Sequence, residues 1–231
     1  TLINNQPIIF AGSDDDHMYG IYSNGELAIN IDTGSNIRTS TAFMNTNQGV
    51  NIFFGSSNGR FYGVDSNGNN LPGWPIELGG NISTSPIVCD VDGDGISEIF
   101  VGTSELFYGF NESGSSLPFF PIDSDVGISG SAFAADIDND GDQEIFFGAN
   151  THLYGIDIKT NSSPSSEWSM YRGNHLRNGF FNSQIDNSNL GDINGDFIVD
   201  ILDIVILVNL ILGQNPEPGQ MELADVNNDG V

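Results

Sequence analysis

The chain of 231 residues reads as mainly β: four repeated sheet units followed by one short helical segment. Three observations point there. Aromatic and β-branched runs alternate with Asn-Gly and Ser-Gly punctuation, the pattern of antiparallel strands joined by hairpin turns. A Phe-x-Gly triplet and a Tyr-Gly pair return together four times. A largely apolar stretch of helical length, Leu202 to Leu212, broken by Asp203 and Asn209, comes only near the C-terminus.

The repeat sets the order of the elements. Phe10-Ala-Gly12 precedes Tyr19-Gly20, Phe53-Phe-Gly55 precedes Tyr62-Gly63, Phe100-Val-Gly102 precedes Tyr108-Gly109, and Phe146-Phe-Gly148 precedes Tyr154-Gly155. The Tyr-Gly pairs stand 43, 46 and 46 residues apart. Between them lie a turn (Ser23-Asn-Gly25, Ser66-Asn-Gly68, Glu112-Ser-Gly114), a proline-rich stretch, and a Ser/Thr cluster at Thr39–Thr41, Ser83–Ser85 or Ser129–Ser131. A unit of this length with about four short strands has the size of a propeller blade. A β-sandwich with accidental internal similarity is the competing architecture. Four units do not promise a closed ring, so further blades are expected upstream.

Composition narrows the partners. Acidic residues number 31 against 5 Lys and Arg, a formal charge of −26. That excess argues against nucleic acid and anionic membranes, and no apolar run reaches the length of a bilayer span. Hydrophobic residues make up 38 %, enough for a core. Cys89 is alone, so no internal disulfide forms. The sequence starts without methionine and stops at Val231 within a loop motif, as expected of an internal piece of a longer polypeptide.

The acids are not scattered. Asp90-Val-Asp92-Gly-Asp94-Gly95 and Asp136-Ile-Asp138-Asn-Asp140-Gly141 place carboxylates on alternate residues closed by glycine; Asp192-Ile-Asn194-Gly-Asp196 and Asp225-Val-Asn227-Asn-Asp229-Gly230 are variants. Oxygen ligands at that spacing wrap one hard cation while glycine lets the backbone turn. Calcium (Ca2+) is the candidate, and cations would relieve the self-repulsion of so acidic a chain. Polar Asx-type turns without an ion are the alternative. Sites of modest affinity fill only where calcium is near millimolar, which points to an extracellular location, secreted or at the cell surface.

The stretch Ser85–Gly102, with its copy Ser131–Gly148, resembles the FG-GAP (VCBS-type) repeat of integrin-like β-propellers, over about residues 1–180. The resemblance implies one site from Asp90, Asp92, Asp94, the Ile96 carbonyl and Glu98, and another from Asp136, Asp138, Asp140, the Asp142 carbonyl and Glu144. The acid at the ninth loop position, with none at the twelfth, separates both from EF-hands. Asn45-Thr-Asn-Gln-Gly49 is two residues shorter and carries no acid, so no metal is expected there. The segment Glu167–Gly179 is similar to the tail that follows the last blade in such proteins. Its Trp168 is expected to close a blade; an exposed sugar-stacking platform with its arginines is the alternative.

Residues 181–190 are polar and aperiodic, a linker. From Gly191 to Gly213 the chain looks like the first half of a type I dockerin repeat, an EF-type loop leading into one helix. The resemblance implies Asp192, Asn194, Asp196, the Ile198 carbonyl, Asp200 through water, and bidentate Asp203. Asp225, Asn227 and Asp229 begin a second half 33 residues after Asp192 and would make a partial site. In dockerins the partner is a cohesin, recognised largely through loop positions occupied here by Ile201 and Leu202. Packing within the chain is the alternative role of this module.

Catalytic signatures are missing: there is no nucleophile elbow, no metal spacing among His17, His152 and His175, and no phosphate-binding glycine loop. The expectation is a non-catalytic binding or attachment module for protein or polysaccharide, comprising residues 1–180, a linker, and residues 191–231. A polysaccharide lyase or hydrolase carried by the dockerin-like module, or an adhesin, are the contrasting readings.

Overall fold

The computed structural model describes residues 2–3, 6–46, 48–124, 127–161, 168–174, 177–181, 193, 201–213 and 224. The chain divides into two compact units, Thr1–Gln184 and Ile185–Val231.

The first unit holds four antiparallel sheets. Strands β1 (Leu2–Ile3), β2 (Gln6–Gly12), β3 (His17–Tyr22) and β4 (Leu27–Asp32) form the first; β5 (Ala42–Thr46), β6 (Gly49–Gly55), β7 (Arg60–Val64) and β8 (Ile76–Glu77) the second. Strands β9 (Ile87–Cys89), β10 (Glu98–Gly102), β11 (Leu106–Phe110) and β12 (Ile122–Asp123) form the third; β13 (Phe133–Ala135), β14 (Asp142–Ala149) and β15 (His152–Asn161) the fourth. Each sheet is a meander in chain order, the form of a propeller blade. Among the described residues the fourth has three strands, and its β15 runs on to Asn161 where the third strands of the earlier sheets turn back.

The register explains the repeat. Phe10, Phe53, Phe100 and Phe146 lie directly across from Gly20, Gly63, Gly109 and Gly155. The phenylalanine ring covers the glycine so closely that a Cβ on Gly63, Gly109 or Gly155 would stand 2.8–2.9 Å from it. The Tyr-Gly glycine is therefore the floor on which the facing aromatic lies. The glycine of the Phe-x-Gly triplet does a second job. Ile37, Ile82 and Ile128 seat their Cγ2 against Gly12, Gly55 and Gly102, where a Cβ would come within 2.2–2.7 Å. Each isoleucine belongs to the segment entering the next sheet, so the glycine notch locks neighbouring sheets together.

The Ser/Thr clusters stitch the same joints. The Thr39 and Thr84 hydroxyls both accept from and donate to the backbone of Gly55 and Gly102. The Ser40 N–H donates to Ser85 Oγ, and the Ser85 N–H to Ser131 Oγ, each at 2.9 Å. Aromatic side chains fill the remaining space: Trp74 of the second sheet packs on Phe53, Phe61 and Phe110, and Phe107 stacks on Phe147 across the third and fourth sheets at 4.1 Å.

Trp168 is buried, 2 % exposed, as expected of a blade-closing residue. It exchanges two backbone hydrogen bonds of 3.0 Å with Val88 of β9, while Ser169 accepts from the Ala134 N–H of β13. The tail thus joins the first strands of the third and fourth sheets, and Phe43 and Phe181 cover the indole. His17 and His152 open the third strands of their sheets, equivalent positions that join no converging set of metal-ligating side chains among the described residues. In the second unit, helix α1 (Ile201–Ile211) matches the expected apolar stretch within one residue.

Candidate metal centres

The two aspartate loops join the first and second strands of the third and fourth sheets, β9 to β10 and β13 to β14. The corresponding connection of the second sheet, β5 to β6, is a tight hairpin in which Thr46 faces Gly49 and no acid is present. This is the stretch from which the sequence withholds a metal.

In the first loop the buried Asp90 accepts from the Gly93 N–H at 2.7 Å and the Gly95 N–H at 3.0 Å. Asp92 and Asp94 accept from the N–H groups of Asp94 and Ile96, and Glu98 Oε2 from the Val91 N–H at 3.0 Å. Gly93 and Gly95 take φ of 74° and 83°, which lets the chain fold its carboxylates inward. The second loop repeats the design: Asp136 accepts from Gly141, Asp140 from Asp142, and Glu144 Oε2 from Ile137 at 2.7 Å. Asn139 stands at φ 59° where the first loop has Gly93.

Carboxylate oxygens converge in both. Those of Asp90, Asp92 and Asp94 lie within 4.8 Å of one another, as do those of Asp138, Asp140, Asp142 and Glu144. Oxygens sharing one calcium stand at most about 5 Å apart, twice the metal–oxygen distance. In the second loop Asp136 Oδ1, Asp142 Oδ1 and Glu144 Oε1 are buried without any hydrogen-bond partner. Buried carboxylate oxygens left without donors are costly.

The electrostatics agree. Burial, then the charges of Asp92, Asp90 and Asp94, push the Glu98 carboxyl up to about 7 against a lowering hydrogen bond from Val91. Burial and the neighbouring Asp140 push Asp142 up to about 6. Asp138 is raised by the same two causes, burial and Asp140, whereas Asp140 is lowered by hydrogen bonds from Asp142 and Lys159. Carboxyls raised in this way are buried and crowded by like charge.

Of the residues expected on these loops, Asp90, Asp92 and Asp94 converge on the first and Asp138, Asp140, Asp142 and Glu144 on the second, whereas Glu98 and Asp136 lie on the same loops outside the converging sets. One detail is new. Asp142 brings its buried carboxylate into the cluster, where the resemblance noted in the sequence implies only its carbonyl. The signal was an acid at the position where the first loop has the half-exposed Ile96. Lys159, which faces the second loop, had no sequence signal because it comes from a neighbouring strand. In the second unit Asp203 and Ile193 are buried. Asp192, Asn194, Asp196, Ile198, Asp200, Asp225, Asn227 and Asp229 lie outside the described residues, as do residues 182–190 of the linker and His175.

No helix among the described residues is long and apolar enough to cross a membrane. No curated protein matches the chain. Among solved structures it is similar to BamB from Moraxella catarrhalis, at 17 % identity and TM-score 0.48 over 66 % of this chain and 44 % of that one. It is likewise similar to the C-terminal domain of PilY1 from Pseudomonas aeruginosa, at 15 % identity and TM-score 0.48 over 65 % and 38 %. The Dos1 propeller gives 13 % identity and TM-score 0.45 over 67 % and 43 %. The chain spans less than half the length of each of these three. Its C-terminal segment, residues 190–231, matches the model of the dockerin type I domain.

Proposed function

We propose that this chain is a non-catalytic, calcium-binding module of an extracellular bacterial protein, with FG-GAP/VCBS-type blades that carry structural calcium and a dockerin segment that attaches it to a cohesin-like protein. The observation that carries the metal reading is the convergence of four carboxylates in the second loop, two of which, Asp142 and Glu144, keep a buried oxygen without a hydrogen-bond partner. Both loops would hold their ion at the joint between first and second strands, where it neutralises acids that the fold forces together. A site whose dissociation constant is tenfold below ambient calcium adds about 1.4 kcal/mol, a useful share of a marginal stability.

The attachment reading rests on the family match at residues 190–231 and on α1, where Ile201 and Leu202 are 70 % and 54 % exposed. Calcium titration by calorimetry separates the possibilities for the metal. Asp92→Ala and Asp138→Ala are each expected to remove one ion; uptake unchanged by both variants would sink the loop reading. For attachment, Ile201→Asp combined with Leu202→Asp is expected to abolish capture of the chain by an immobilised type I cohesin, and capture by wild type must depend on calcium.

A further inference from the structure

The two loops share a backbone but not an electrostatic environment. Lys159 Nζ stands 2.7 Å from Asp157, 3.2 Å from Asp140 Oδ2 and 3.9 Å from Asp142 Oδ2. Among the described residues, no basic side chain forms an ion pair with Asp90, Asp92, Asp94 or Glu98 of the first loop.

Chain path explains the difference. In the third sheet β11 ends at Phe110, opposite Ile99, and the chain turns at once through Asn111–Gly114. In the fourth sheet the equivalent pair is Ile145 and Ile156, but β15 continues to Asn161. The continuation, with the register shift between Asp142 and Gln143, lays Lys159 over the loop's acids. The second loop also carries the extra carboxylate, Asp142, which is 6 % exposed and keeps Oδ1 without a donor.

We propose that Lys159 is a resident counter-cation of the second loop that holds its calcium affinity below that of a lysine-free loop. The proposal rests on the reading of this loop as a calcium site. An arriving dication must either displace the ammonium from Asp140 or sit beside it, and both routes oppose binding. The lysine holds one oxygen of a ligand carboxylate while leaving the buried oxygens of Asp142 and Glu144 for the ion. The fourth sheet would then order its loop acids even at low calcium, and its site would fill only at higher concentration.

The test is calcium calorimetry on the full chain with Lys159→Gln, Lys159→Met and the charge-keeping Lys159→Arg, alongside Asp92→Ala and Asp138→Ala. Lys159 is well exposed, so these changes leave the core intact. Removing a unit charge next to a dication in a water-like dielectric is expected to tighten that site on the order of tenfold. The tightened site must be the one that Asp138→Ala deletes, and Lys159→Arg must stay near wild type. If Asp138→Ala removes an ion while both neutral variants leave that site unchanged or weaker, the lysine is not a counter-cation and the calcium reading still stands. If neither aspartate variant removes an ion, the calcium reading itself fails.

Discussion

Glu98 shows how one residue reports the condition of its loop. Its carboxyl, ordinarily near 4.5, is raised to about 7 by burial and then by the three loop aspartates. A folded-state value above the unfolded one means that the folded chain binds the proton more tightly. Stability of the calcium-free protein is therefore expected to fall as pH rises from about 4.5 to about 7. Saturating calcium should remove that decline, since the ion replaces the proton. Thermal melts across this window, with and without calcium, would check it; a calcium-free midpoint that climbs with pH would contradict the crowding. Phe119 makes a different case. It is 95 % exposed at φ 69°, at the place in its turn where the second sheet has Gly73 at φ 88°. The bulky side chain occupies a backbone region that costs roughly 1–2 kcal/mol outside glycine, and it buries nothing in return. Phe119→Gly is expected to raise stability by up to about 1 kcal/mol after the entropy of glycine is counted, as measured by chemical denaturation.

The elements are held to one another by a small set of repeated contacts. The notch at Gly12, Gly55 and Gly102 and the hydroxyls of Thr39 and Thr84 act at the same joints. Thr84 Oγ1 accepts from the Gly102 N–H at 3.0 Å and donates to the Gly102 carbonyl at 2.7 Å, fully buried. Thr84→Val keeps the shape and strands both backbone groups, so a loss of about 1–3 kcal/mol is expected; a denaturation midpoint equal to wild type would show the stitch to be dispensable. The hairpin turns, the Phe-x-Gly and Tyr-Gly periodicity and α1 were all legible because each depends on residues close in sequence. The stitch was visible as a Ser/Thr cluster without a role, since its partner glycine lies 18 residues away.

For the whole molecule the dominant fact is charge. At −26, with three of the five basic side chains (Arg38, Arg60 and Lys159) committed to ion pairs, the folded chain repels itself. Raising sodium chloride from about 20 mM to about 0.5 M shortens the screening length several-fold, so the calcium-free chain is expected to melt a few degrees higher. With calcium bound the gain should shrink, because the loops are already neutralised. Equal salt gains with and without calcium would place the repulsion elsewhere on the surface. These melts need the two units followed by separate probes: Trp74 and Trp168, the chain's tryptophans, both report on the first unit.

The sequence by itself determined the four sheet units, their hairpin turns, the two acid loops, the acid-free connection and the C-terminal helix. Turn chemistry, alternation and metal-loop spacing act over a few residues and leave their mark locally. Only the tertiary structure decided that phenylalanine lies across the Tyr-Gly glycine and that isoleucine from the following segment fills the glycine notch. It also decided that Trp168 and Ser169 bond to β9 and β13, and that Lys159 comes to rest on Asp140. Those contacts join residues that the chain keeps apart, and they follow from register and from how far a strand continues before it turns.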